Sequence, residues 1–172
     1  MNNITTGDKK YLLYVDILGF KNIVREKSPE DIYAIVDNCL EVFYRLERLN
    51  QIFSPIYFSD TIIFYQSCEE YVESAFADIY AMGGYIFTTL MASSIPIRGV
   101  ISFGDFKVKN DSQNRNNIFY GNALIEAYET ESKQKFLGIV LTPAAYENIS
   151  HDILNALINE NVFIGWRTET SI

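Results

Sequence analysis

The run Tyr11-Leu12-Leu13-Tyr14-Val15-Asp16-Ile17-Leu18 is apolar at every position but one and is rich in strand-forming residues. Alternating polarity marks a strand with one wet face; an unbroken apolar run of this length marks a central strand covered on both faces. It ends at Gly19. The interruption, Asp16, needs its own explanation, because an unpaired buried carboxylate costs several kcal/mol unless a cation, hydrogen-bond donors or water compensate it.

The rest of the chain supplies the covering layers. Ser28-Pro29-Glu30-Asp31 reads as a helix start, and Ile32, Ile35, Val36, Cys39, Leu40, Phe43 and Leu46 follow at the spacing of one buried helical face. Ile52 to Phe58 and Thr61 to Tyr65 are β-branched and aromatic runs split by Ser59-Asp60, the pattern of a hairpin with a very short turn. Ser67 and Glu70 form a capping-box signature, and Val72, Ala75, Phe76, Ile79, Met82, Ile86, Phe87 and Leu90 carry a second long amphipathic helix. Gly83-Gly84 within it predicts the close approach of another backbone.

Pro96-Ile97 opens a strand through Phe103, and Lys107 to Asn117 is a polar loop or long hairpin tip with its turn at Asn110-Asp111. Ile118 to Tyr120 is a short strand end, Ala123, Leu124, Ala127 and Tyr128 a short helix, and Leu137 to Leu141 a strand. Thr142-Pro143 starts another helix, and Val162 to Ile164 closes the chain. Strand, helix, strand, strand, helix, strand suits an α+β ferredoxin-like sandwich, one mainly antiparallel sheet with two long helices. At 172 residues, within the roughly 100–200 typical of one domain, positions 1–172 read as a single domain.

Charge and composition limit the function. Fourteen Lys and Arg against 22 Asp and Glu leave a net charge of −8, which excludes a nucleic-acid-coating surface and means an anionic ligand needs a local basic pocket or a metal. No apolar run reaches the ~20 residues of a membrane span and the start lacks a signal pattern, so the expectation is a cytoplasmic protein. Cys39 and Cys68 read as buried thiols, and the lone His151 as a surface or helix-start residue with no zinc role.

Asp16 and Asp60 both fall at the loop ends of what should be neighbouring strands. Two convergent carboxylates are a common way to hold Mg²⁺ or Mn²⁺ against a triphosphate. By spacing alone, Asp16 reads rather as a cap for the helix after Gly19, and Asp60 as an ordinary turn residue.

The surrounding residues add a resemblance. Asp16-Ile17-Leu18-Gly19-Phe20 resembles the first metal-binding motif of class III nucleotide cyclases, and Ser59-Asp60-Thr61 their second acid. Arg98 to Gly104 is similar to their fourth-strand segment, and Tyr120-Gly121-Asn122-Ala123-Leu124 through Glu131 to the glycine turn and helix that follow. The four blocks stand in family order over nearly the whole chain. Their wording looks most like the pyrimidine cyclases of the Pycsar anti-phage system. That resemblance implies a homodimer with sites at its interface, making cyclic UMP or cyclic CMP from UTP or CTP for a separate effector.

The resemblance makes Asp16, Asp60 and the Ile17 carbonyl the ligands of two Mg²⁺ or Mn²⁺ ions. One ion would activate the ribose 3′-hydroxyl and the other neutralise the β- and γ-phosphates during in-line attack, with pyrophosphate leaving. Gly19 and Phe20 would offer backbone N–H groups to the triphosphate, and Lys21 a charge, although Lys21 also fits a solvated helix position. Where purine-selective relatives carry base-reading residues, this chain has Ile56 and Ile118; Tyr57 offers stacking or a hydrogen bond to a small base, or is simply a strand aromatic. The asparagine and transition-state arginine of the family's helix fall at Ile125 and Glu129, so both are missing. Arg98 is the substitute, since guanidinium bridges phosphate oxygens; an internal pair with Asp16, Asp60 or Asp105 is its other reading. Lys107 and Lys109 either reach the phosphates from the partner subunit or are solvated loop residues. The alternatives to a pyrimidine cyclase are a purine cyclase and a degenerate cyclase-like module that binds nucleotide or dimerises.

Overall fold

A computed structural model describes residues 9–34, 37, 55–68, 72–110 and 117–159. Strand β1 (Lys9–Ile17) lies at the centre of a five-stranded sheet, with β3 (Thr61–Ser67) and the edge strand β2 (Ile56–Phe58) on one side. On its other side come β4 (Ile97–Asp105) and β7 (Gly138–Leu141). All neighbours are antiparallel except β4 and β7. A separate two-stranded ribbon joins β5 (Lys107–Asn110) and β6 (Asn117–Tyr120).

The apolar run of β1 is buried on both faces, as its composition requires. Tyr11, Leu13, Val15 and Ile17 join one core cluster, while Leu12 and Tyr14 join another. Helix α2 (Val72–Ala92) covers the first face through Ala75, Phe76, Ile79, Met82, Ile86 and Leu90. Helix α3 (Asn122–Lys133) covers the second through Ala123 and Ala127, which pack with Leu12, Tyr14, Ile63, Val100 and Phe106. The architecture is the α+β class expected, with a mixed sheet.

Short helices complete the described fold. Helix α1 (Phe20–Glu26) follows β1; α4 (Pro143–Glu147) starts at Thr142, whose side chain accepts from the Ala145 N–H; α5 (His151–Asn159) begins at His151. Residues 29–34 are also helical, with Ser28 Oγ accepting from the Asp31 N–H at 3.2 Å. The remainder of the helix expected through Leu46, Cys39, the start of the strand at Ile52, Glu70 of the capping box, Asp111 and the closing strand at Val162 lie outside the described residues. Cys68 is a buried free thiol.

One sequence expectation is corrected. Gly83-Gly84 does not admit another backbone: a Cβ on Gly83 would meet the Ile139 side chain at 3.2 Å, and one on Gly84 would meet nothing. Gly83 makes room for a core side chain from β7. No helix among the described residues is long and apolar enough to cross a membrane.

Candidate active site

Strand register brings the two acids together. Asp16 pairs across the sheet with Thr61 on β3, next in sequence to Asp60, and the Ile17 N–H donates to the Asp60 carbonyl at 3.0 Å. The end of β1 is thereby fastened to the β2–β3 turn, in which Ser59 adopts φ 57°. Asp16 does not cap α1: the N-cap is Gly19, at φ 76°, with no side-chain capping bond. That left-handed conformation suits glycine because it has no Cβ to strain there.

Side chains alternate across a strand, so one row on the α3 side of the sheet reads Phe58, Thr61, Asp16, Arg98 and Gly138. Asp16 and Arg98 face each other directly. Arg98 Nη2 lies 3.5 Å from Asp16 Oδ2 and 2.5 Å from Glu131 Oε1 on α3, while Nη1 donates to the Gln134 carbonyl at 2.8 Å. The Gln134 amide in turn donates to the carbonyls of Phe136 and Gly138, so the loop receiving Arg98 is itself tied down. Of the internal partners expected for Arg98, Asp16 is realised; the shorter ion pair, with Glu131, was not foreseen.

The electrostatics leave the acids under-compensated. Burial, and then the charge of Asp60, push the Asp16 carboxyl above its ordinary pKa, and Arg98 only partly opposes them. Burial likewise raises Glu131, with Asp16 and Asp60 adding to the rise against Arg98. Two carboxylates that repel each other at adjacent strand ends form the oxygen donor set a hard divalent cation accepts. The residues therefore fit Mg²⁺ or Mn²⁺ held by Asp16 and Asp60. Among the described residues no group of three or more acidic, His or Cys side chains converges as a complete cage, so water or substrate oxygens would fill the remaining positions.

The other expected residues fall less evenly. Gly19 and Lys21 are exposed beside Asp16 in sequence, and Phe20 packs partly against the α2-side core. Tyr57 lies in the row of Ile62, Val15 and Gly99 on the α2 side of the sheet, so its register turns it away from Asp16. Ile56 and Phe58 are the β2 residues on the acid side, and Ile118 is exposed on β6. Lys107 and Lys109, with Lys10, Phe106, Val108 and Tyr120, line a cavity of about 370 Å³ near the start of β1. Ile125 and Glu129 are both exposed on α3.

Glu131 is the member that reading by motif missed. It carried a signal: Ala123, Ala127 and Glu131 are four residues apart, which puts the acid on the same buried stripe as the two alanines.

Solved structures on which the chain superposes include nucleotide cyclase domains. The chain superposes on the adenylyl cyclase CyaB from P. aeruginosa with a TM-score of 0.66, 13% identity, and coverage of 81% of this chain and 79% of that one. For the guanylyl cyclase domain of the RhoGC fusion protein from the aquatic fungus Blastocladiella emersonii the values are 0.67, 17%, 81% and 82%. A class III adenylyl cyclase-like ATP-binding protein from Pseudomonas aeruginosa matches at 0.55 and 16%, over 87% of this chain and 36% of that one. No protein-family model matches the sequence, and no curated protein does.

Proposed function

We propose that this chain is the catalytic domain, over 1–172, of a metal-dependent nucleotidyl cyclase that closes UTP or CTP to the 3′,5′-cyclic monophosphate with release of pyrophosphate. The observation that carries the reading is the bond from the Ile17 N–H to the Asp60 carbonyl, which fastens the end of β1 to the β2–β3 turn and sets Asp16 beside Asp60, in a fold shared with adenylyl and guanylyl cyclases. The motif wording extends it to a cytoplasmic homodimer whose product activates a separate effector in anti-phage defence.

In this reading Asp16 and Asp60, with the Ile17 carbonyl, would hold two Mg²⁺ or Mn²⁺ ions, whose chemistry would be to lower the pKa of the 3′-hydroxyl and to neutralise phosphate charge. Gly19 and Phe20 present first-turn N–H groups to the triphosphate, because a helix start leaves those donors without intrahelical partners. Lys21, exposed on the same turn, adds positive charge. Arg98, fixed beside Asp16, supplies a guanidinium for the α-phosphoryl oxygens in place of the arginine missing at Glu129. Ile56 and Phe58 offer an uncharged, apolar surface for the base. Neither reads a purine edge by charge, and this favours a small pyrimidine ring.

The test is a chromatographic product assay with Mn²⁺ and all four triphosphates in competition. A single cyclic pyrimidine nucleotide and equimolar pyrophosphate are expected, and Asp60→Ala should lose turnover by about a hundredfold or more with its circular dichroism unchanged. Equal turnover by that variant would remove Asp60 from the chemistry, and a cyclic purine product would replace the substrate assignment. The exposed Ile125 and Glu129 favour a second reading, a nucleotide-binding module without turnover; tight metal-nucleotide binding with no product on long incubation would establish it.

A further inference from the structure

We infer that Glu131 is a positioning residue of the metal site: it draws the Arg98 guanidinium off Asp16 and so keeps that carboxylate available to a divalent cation. The inference rests on the reading of Asp16 and Asp60 as the cation's ligands. Asp16 and Arg98 are direct cross-strand partners, a placement in which opposite charges ordinarily pair. A closely paired Arg98 would occupy the oxygens a cation needs and neutralise part of the charge that attracts it. Here Nη2 reaches Asp16 Oδ2 only through a long hydrogen bond, 3.5 Å, and makes its shorter ion pair with Glu131 Oε1 at 2.5 Å, a charge contact without hydrogen-bond geometry.

The asymmetry has a physical source. The Glu131 side chain is 6% exposed against 18% for Asp16, so Glu131 keeps less water and depends more on the guanidinium. Nη1 is held on the Gln134 carbonyl, which keeps the fork at the α3 side, and Nε is buried without an acceptor. The charge count agrees: Asp16, Asp60 and Glu131 against Arg98 leave two negative charges for one divalent cation. With Glu131 neutral, one remains.

The test is Mn²⁺ affinity by calorimetry on metal-free full-length protein without nucleotide, comparing wild type, Glu131→Gln and the double variant Glu131→Gln/Arg98→Gln. Glu131→Gln is expected to weaken binding roughly tenfold, since Arg98 then closes on Asp16. The double variant is expected to return to within about threefold of wild type, an antagonistic coupling that simple loss of structure does not produce. Wild-type binding with an unchanged affinity in Glu131→Gln would overturn the role of Glu131 and leave the metal site standing. A double variant weaker than Glu131→Gln would make Glu131 a scaffold residue and also overturn the inference. No Mn²⁺ binding by wild type would overturn the metal-site reading and this inference with it.

Discussion

Asp16 answers to two demands at once, partial burial in a central strand and a charge beside Asp60. Its carboxyl is raised above 3.8 by burial and by Asp60, so between the unfolded value and the raised one the native state binds more protons than the unfolded chain. Stability from this group is therefore greatest below 3.8 and is lost as pH rises through the window. Glu131, raised from 4.5, acts in the same direction. Asp16→Asn is expected to raise the thermal midpoint of metal-free protein at pH 7 and to have no such effect below the carboxylate range. Mn²⁺ should stabilise wild type by about 2.7 kcal/mol at a hundred times its Kd and leave Asp16→Asn unmoved. Scanning calorimetry across pH and Mn²⁺ concentration checks both; an unchanged midpoint at pH 7 would argue that Asp16 is better compensated than its surroundings imply.

At the scale of elements, α3 does more than cover the sheet. It approaches β4 closely because small residues line the contact: a Cβ on Gly104 would touch the backbone of Ala123 at 3.4 Å, and Ser102 Oγ donates to the Ala123 carbonyl at 2.8 Å. From Ala123 to Glu131 the helix advances about 12 Å, and from Ser102 back to Arg98 the strand spans about 13 Å. Docking one end of α3 through small residues thus delivers Glu131 to Arg98 at the other. Gly121 sets that docking, at φ 151° with a virtual Cβ only 2.0 Å from the Asp105 carbonyl. Gly121→Ala is expected to cost about 3 kcal/mol or more, read as a lower urea midpoint. Thr142→Ala, which removes the α4 cap, should cost about 1 kcal/mol. The alternation of β2 belongs to this scale too, since it exchanges Tyr57 for Ile56 and Phe58 on the acid side.

For the whole molecule, the surface on the α3 side bears on assembly. Phe58, Ile125 and Tyr128 are 69%, 57% and 59% exposed, large apolar side chains on the side of the sheet that carries Asp16. A homodimer with its sites at the interface would bury them. Ile125→Lys is expected to weaken self-association at least about tenfold in sedimentation equilibrium, with Mn²⁺ affinity per chain unchanged. Dimers that persist at wild-type strength would place the interface elsewhere. The net charge of −8 also acts at this scale: under the proposed function a polyanionic triphosphate would meet a repelling protein, and a cation held by Asp16 and Asp60 would offset that repulsion locally.

By itself the sequence determined the central strand, the helix over Val72–Ala92, the hairpin at Ser59-Asp60 and the two acids. An unbroken apolar run specifies a strand covered twice, the spacing from Ala75 to Leu90 specifies one buried helical face, and Ser59-Asp60 specifies a tight hairpin, because each is a periodicity or turn preference set by neighbours along the chain. Asp16 and Asp60 stood out for the same local reason, as charges inside or between apolar strands. Tertiary structure alone decided which residues meet. Register turned Tyr57 to the face opposite Asp16, since a strand's side chains change face at every residue. Helix docking gave Arg98 a second acid, Glu131, at a shorter distance than Asp16. Those outcomes depend on how strands align and how closely a helix can approach a sheet, and contacts between residues distant in the chain settle both.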